Sequence, residues 1–351
     1  MKLWFPEVDI LKASAILIVV FCHIDNYVSC YDLIRLVDGY VGLFGQGIFF
    51  FVSGFLLFQS DSIINSMQDI KNFYIKKFIR IFPLYWVALG SLIIIFGILQ
   101  INPGHIDPYN FSLDNLLLHF FGLQGIFPIG DIQSMWFVGV IILFYLLYPI
   151  VAYFSKNLIR TFIVSSIILF LLAFLHFFFG LIEIRALTYY PFFIFGIFLN
   201  QIVYLSKKVG NENLLKQILS INLILIFVFF LVLVLRQFSH LDLIFFPSIF
   251  VICAMLSLCI IYFIFTHLYI NIQGKIMLLL SLIAFGTYAI YLFHIQFLAV
   301  FTFVTDFFIQ NITLQDIIIL TFGFAGAIFC GIIIQKIEQH VFMKYKLNHQ
   351  R

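Results

Sequence analysis

Ten stretches of this chain run for about 18 residues or more with few or no charges, long enough for each to cross a bilayer. They lie near 9–25, 41–59, 79–99, 134–154, 160–182, 187–205, 215–235, 243–266, 281–305 and 315–335. Inside hydrocarbon every backbone amide and carbonyl must find its partner within the segment, so single runs of this length form helices. The sequence therefore predicts an all-α membrane protein, a polytopic bundle of about ten transmembrane helices. Composition agrees, because only 10% of residues are charged where a soluble domain carries about 25%. Ten passes with short loops use nearly all of the 351 residues, which predicts a single transmembrane domain over 1–351 with its core near 5–340. Glu7, Asp9 and Lys12 spoil the apolar region a signal peptide needs, so the first stretch reads as a retained helix. Pro83, Pro149, Pro191 and Pro247 are each expected near a helix end, where a missing amide hydrogen does least damage.

Orientation follows from the basic residues. With the N-terminus inside, 16 Lys and Arg fall on the cytoplasmic side, and only Arg35, Arg185 and Arg236 fall outside. The positive-inside rule then predicts that both termini are cytoplasmic. A formal net charge of +3, spread this way, gives no concentrated basic face, so nucleic acid is not an expected partner. The cysteines Cys22, Cys30, Cys253, Cys259 and Cys330 form no CxxC pair, and no metal site is indicated. The longest outer connection, 100–133, has no Lys or Arg and contains an amphipathic patch, Leu113 to Phe121, suited to lie along the interface and to lid an outward-facing cavity.

An ionisable group in a bilayer core costs about 2.5–3.5 kcal/mol on insertion scales, so each one marks a candidate site. Lys12 and His23 are separated by three helical turns with an offset of about 20°, and so share a face about 16 Å apart along the axis. Asp9, three residues before Lys12, is placed to pair with it. Either these groups form a polar stripe, or Asp9 and Lys12 snorkel at the inner interface while His23 marks the outer one. Lys76, Lys77 and Arg80 gather at the cytoplasmic mouth of the third helix, as a phosphate site or as topological anchors. His294 lies in the middle of the ninth helix, as an interhelical hydrogen-bond partner or as part of a site. Gly45 to Phe55 offers small residues for close packing, with Ser53 able to bond across to a neighbour or back to its own helix. Trp136 suits an aromatic belt or a sugar-stacking platform.

These segments, taken in order, resemble the membrane-bound acyltransferase family 3, the enzymes that O-acetylate cell-surface sugars and glycans. The likeness rests on Asp9-Ile10-Leu11-Lys12 with ten residues before His23, and on Gly45 to Phe55. It continues through Lys77-Phe78-Ile79-Arg80 before Pro83-Leu84-Tyr85-Trp86, Trp136-Phe137, Phe144-Tyr145 and Pro149, Tyr288 to His294, and Glu338 after the last helix. Lys12 and Lys77 stand where the family more often has Arg, and Lys77 lacks the planar fork. The resemblance implies acetyl-CoA as acyl donor, no metal, a glycan or lipid-linked sugar as acceptor, and a multi-pass protein of the plasma membrane. It carries functional roles to His23, Lys12, Lys77 and Arg80; together with the charge and spacing above, His23 is expected as general base and Lys12, Lys76, Lys77 and Arg80 at the donor site, with Asp9, Ser53, Trp136 and His294 supporting. A transporter or flippase for a lipid-linked sugar is the alternative of another class, although no inverted repeat is evident.

Overall fold

The computed structural model describes residues 6–29, 31–61, 64–101, 111–128, 132, 135–155, 157–209 and 274–348. Every regular element among them is helical. In chain order these are α1 (Pro6–Ile24), α2 (Tyr31–Asp61), α3 (Met67–Leu92), α4 (Leu113–Phe120), α5 (Trp136–Phe154), α6 (Leu158–Phe179), α7 (Ile184–Val209), α8 (Lys275–Phe308), α9 (Ile312–Ile318) and α10 (Phe324–Asn348). A π-helical turn, Ile93–Ile98, follows α3, and another, Ile319–Gly323, joins α9 to α10. Seven helical segments among the described residues are long and apolar enough to cross a membrane. The 19-residue α1 is of comparable length but carries Glu7, Asp9 and Lys12 in its first turns. The apolar stretches at 215–235 and 243–266, with Pro247, lie outside the described residues.

Helix ends follow local chemistry rather than the edges of apolar runs. At the start of α3, Asp69 Oδ2 accepts from the Ser66 amide at 2.9 Å and from the Ser66 hydroxyl at 2.8 Å, and the Asp69 amide donates back to Ser66 Oγ at 3.2 Å. This reciprocal cap starts the helix well before position 79. Two expectations are corrected in consequence. Pro83 lies well inside α3 rather than near an end, and the basic cluster sits on helical turns within α3 rather than ahead of it. Glu338 likewise falls inside α10, which continues past position 335 because helices need not stop where the hydrocarbon does. Asn157 caps α6 by accepting from the Arg160 amide at 2.9 Å, and the left-handed Gly180 closes it.

Two compact units divide the chain. One draws its described residues from Met1–Val8, Gly47–Phe73 and Leu143–Gln273, the other from Asp9–Gln46, Tyr74–Ile142 and Gly274–Arg351. In the first unit, a Cβ at Gly54 would stand 1.9 Å from the Phe193 carbonyl oxygen, so α2 and α7 touch backbone to backbone. Asn200 Nδ2 donates to the Phe55 carbonyl at 3.0 Å across the same contact. Ser53 uses its hydroxyl across helices, 2.8 Å from the Tyr145 hydroxyl on α5. Gln201 ties α7 to α6 by donating to Thr161 Oγ1 at 2.9 Å. In a bilayer, where apolar burial drives little, such close approaches and bonds hold helices together at about 0.6–2 kcal/mol per bond. In the second unit α8 and α10 pack against each other, with Gly331 of α10 against the Ile290 backbone of α8.

Candidate functional site

Of the nine candidate site residues, all but Ser53 belong to the second unit. His23 ends α1 and is half-buried. Its Nδ1 lies 2.7 Å from the Val19 carbonyl one turn back. A carbonyl oxygen only accepts, so Nδ1 carries the hydrogen and the basic lone pair resides on Nε2. The end of α1 is itself pinned. After the short Asp25–Tyr27 turn, the Tyr27 hydroxyl donates to the Ile295 carbonyl of α8 at 3.1 Å. Asp316 Oδ1 accepts from the Ser29 amide at 2.8 Å and from its hydroxyl at 3.1 Å.

This anchoring brings His23 against His294 on α8. Their ring centroids are 4.9 Å apart and the ring planes meet at 70°, an edge-to-face pair. His294 is fully buried, and its Nδ1 lies 2.7 Å from the Tyr291 carbonyl and 3.1 Å from the Ile290 carbonyl. The same reasoning places its hydrogen on Nδ1. Nε2 of His294 then offers a lone pair that meets no hydrogen-bond donor among the described residues.

Toward the start of α1, Lys12 Nζ and Asp9 Oδ1 are paired at 3.4 Å, with both side chains only partly exposed. Arg80 of α3 acts electrostatically on Lys12 and also on Glu338 of α10. Gln335 donates to Glu338 Oε2. α8 is fastened beside this group, since the Tyr288 hydroxyl donates to the Ile81 carbonyl at 2.9 Å. On α3, Lys76 and Arg80 are exposed, whereas Lys77 is 9% exposed. Positions 77 and 80 are one turn apart, as are 76 and 80, so the three charges cover one side of the helix. Lys77 and Arg80 thus place positive charge on one side of α3, with a planar fork on Arg80 that can pair with an anion in two places. Among the described residues no three His, Cys, Asp or Glu side chains gather to hold a metal ion.

Trp136 begins α5 and is buried at 7% exposure, edge-on to Phe137 at 6.1 Å. Phe137 in turn packs on Tyr291 at 4.8 Å, one turn before His294. The connection between α3 and α5 contributes polar groups that sequence reasoning did not single out. α4 turns Leu113, Leu117 and Phe120 outward and buries Asn115 and His119 completely. The Tyr85 hydroxyl donates to the His119 carbonyl at 2.7 Å, and Gln124 Nε2 donates to the Tyr85 hydroxyl at 3.1 Å and to the Met135 carbonyl at 2.9 Å. The indole of Trp86 donates to the Phe120 carbonyl at 2.9 Å. The signal was present in the i, i+4 spacing of Asn115 and His119 opposite an apolar face.

The model of a family described as an acyltransferase domain matches residues 5–336. No curated protein and no solved structure matches the chain.

Proposed function

This chain belongs to the membrane-bound acyltransferase family 3, and on that premise we propose that it moves an acetyl group from cytoplasmic acetyl-CoA to a hydroxyl of a cell-surface glycan or lipid-linked sugar, at the plasma membrane. The observation that carries the mechanism is the committed Nδ1 hydrogen of His23, which leaves Nε2 as the basic nitrogen on a ring that remains half-accessible. An imidazole has an ordinary pKa of about 6.5, which suits proton abstraction near neutral pH.

In this reading Lys76, Lys77 and Arg80 bind the phosphates of the donor, and Arg80 and Lys12 share the charge on the way toward His23. Asp9 holds the Lys12 ammonium in place. His23 Nε2 takes the proton from the acceptor hydroxyl as its oxygen bonds to the thioester carbon. The carbon–sulfur bond then breaks, and His23 returns the proton to the departing thiolate. Lys12 stands about 16 Å from His23 along α1, too far to steady the oxyanion, and so serves the donor. The basic ends of the helices face the cytoplasm, as the distribution of Lys and Arg favours.

The test is transfer from radiolabelled acetyl-CoA to a cell-envelope polysaccharide preparation by the purified chain in nanodiscs. Label should move with the native chain and fail to move with His23→Ala at equal abundance. Transfer by the His23→Ala protein would remove His23 as the base.

A further inference from the structure

Resting on that reading, we propose that His294 is a positioning residue for the transfer, acting through His23 by holding its ring and by supporting the imidazolium that His23 becomes when it carries the acceptor's proton. Both side chains spend their Nδ1 hydrogens on carbonyls of their own helices, so neither ring is at liberty to rotate without breaking that bond. The two rings meet edge to face at 4.9 Å, and His294 is sealed from solvent while His23 is not. His23 therefore keeps an accessible side, and His294 stands behind it.

His294 is fully buried, and its Nε2 lone pair meets no hydrogen-bond donor among the described residues. A buried acceptor left so is ordinarily costly, by about 1–3 kcal/mol. Beside a ring that turns cationic during each turnover the same lone pair becomes useful, because it attracts the positive charge in a medium that screens little. No proton passes to His294. The acceptor O–H bond breaks, an N–H bond forms on His23, and that proton leaves with the thiolate, while His294 keeps its single hydrogen on Nδ1 throughout. The Tyr27 bond to the Ile295 carbonyl, adjacent to His294, fixes the register of the two helices and so the approach of the rings.

Three substitutions separate this role from packing. His294→Asn retains an amide where Nδ1 donates but nothing at Nε2. His294→Gln retains a polar acceptor near Nε2. His294→Phe retains the ring alone. Each full-length variant is purified into nanodiscs, checked for monodispersity, and assayed for transfer of label from acetyl-CoA to cell-envelope polysaccharide. The expectation is a fall in kcat of about tenfold or more for Asn and Phe, within the range of a supported base, with donor KM unchanged. His294→Gln should recover most of the rate. Native kcat in His294→Phe, equal rates for the Asn and Gln variants, or a kcat loss matched by a rise in donor KM would each overturn the proposal. If the Phe variant does not fold, the Asn and Gln pair still decides. His23→Asn, assayed alongside, keeps the two ideas apart. Should it transfer label, the base assignment fails and takes this inference with it. Should it be inactive while all three His294 variants are native, only this inference fails.

Discussion

Arg80 and Lys77 of α3 provide the sharpest test of where the donor binds. The three cations of the cluster differ in their surroundings, and the structure orders their effects. Lys76 is exposed, so water and salt screen its charge, and an exposed pair contributes about 0–1 kcal/mol. Lys77 is 9% exposed, where a charge–phosphate contact is screened far less. Arg80 is exposed but can pair in two places at once with a phosphate, and hydrogen bonds to charged groups are worth about 1.5–3 kcal/mol. Since about 1.4 kcal/mol is tenfold in an equilibrium, Arg80→Ala and Lys77→Ala should each raise the KM for acetyl-CoA by about 10- to 100-fold, and Lys76→Ala by about fivefold at most. Lys77→Arg, which restores the fork, should lower KM. The assay is the initial rate of label transfer against acetyl-CoA concentration at low and moderate salt, with kcat recorded separately. The KM of the native chain should rise with salt, less steeply in Arg80→Ala. An unchanged donor KM in both Arg80→Ala and Lys77→Ala would mean that these residues only orient the chain in the membrane.

His23→Asn keeps an amide donor for the Val19 carbonyl yet has no base, so kcat should drop by about 10²–10⁴ with normal abundance; a rate within tenfold of native would refute the assignment. Asp9→Asn removes the partner held 3.4 Å from Lys12 and should raise donor KM without unfolding the chain, measured as above against the thermal midpoint in detergent. Gly54→Ala forces a methyl to within 1.9 Å of the Phe193 carbonyl oxygen, and overpacking of this kind costs about 1–3 kcal/mol. Its thermal midpoint should fall clearly, and an unchanged midpoint would deny the close approach of α2 and α7. Gln124→Leu breaks the bonds to Tyr85 and the Met135 carbonyl, and should increase protease sensitivity in the connection between α3 and α5; unchanged cleavage would refute its anchoring role.

Apolar run length located most helices, because the requirement for internal backbone pairing leaves little choice of structure in a bilayer. It misplaced the start of α3, where Ser66 and Asp69 cap a polar helix that enters the hydrophobic stretch already formed. The capping signature was legible, but hydropathy says nothing about helix outside hydrocarbon. The same blindness put Glu338 beyond the last helix and Pro83 near an end. Helical spacing foretold the Asp9–Lys12 pair, a contact between neighbours on one turn. It could not foretell the meeting of His23 with His294, which depends on how α1 and α8 are tied together by Tyr27. The burial of Trp136 against Phe137 was likewise a product of tertiary packing, whereas the inward polar face of α4 was legible in the i, i+4 spacing of Asn115 and His119.

α3 carries Lys76 at one end of a short interval and, about 15 Å further along, Trp86, whose indole grips the Phe120 carbonyl while Tyr85 grips that of His119. One rod therefore joins the basic turns of α3 to α4. A tilt of that rod at its basic end would be felt directly at α4 through these two bonds, with no intermediary needed.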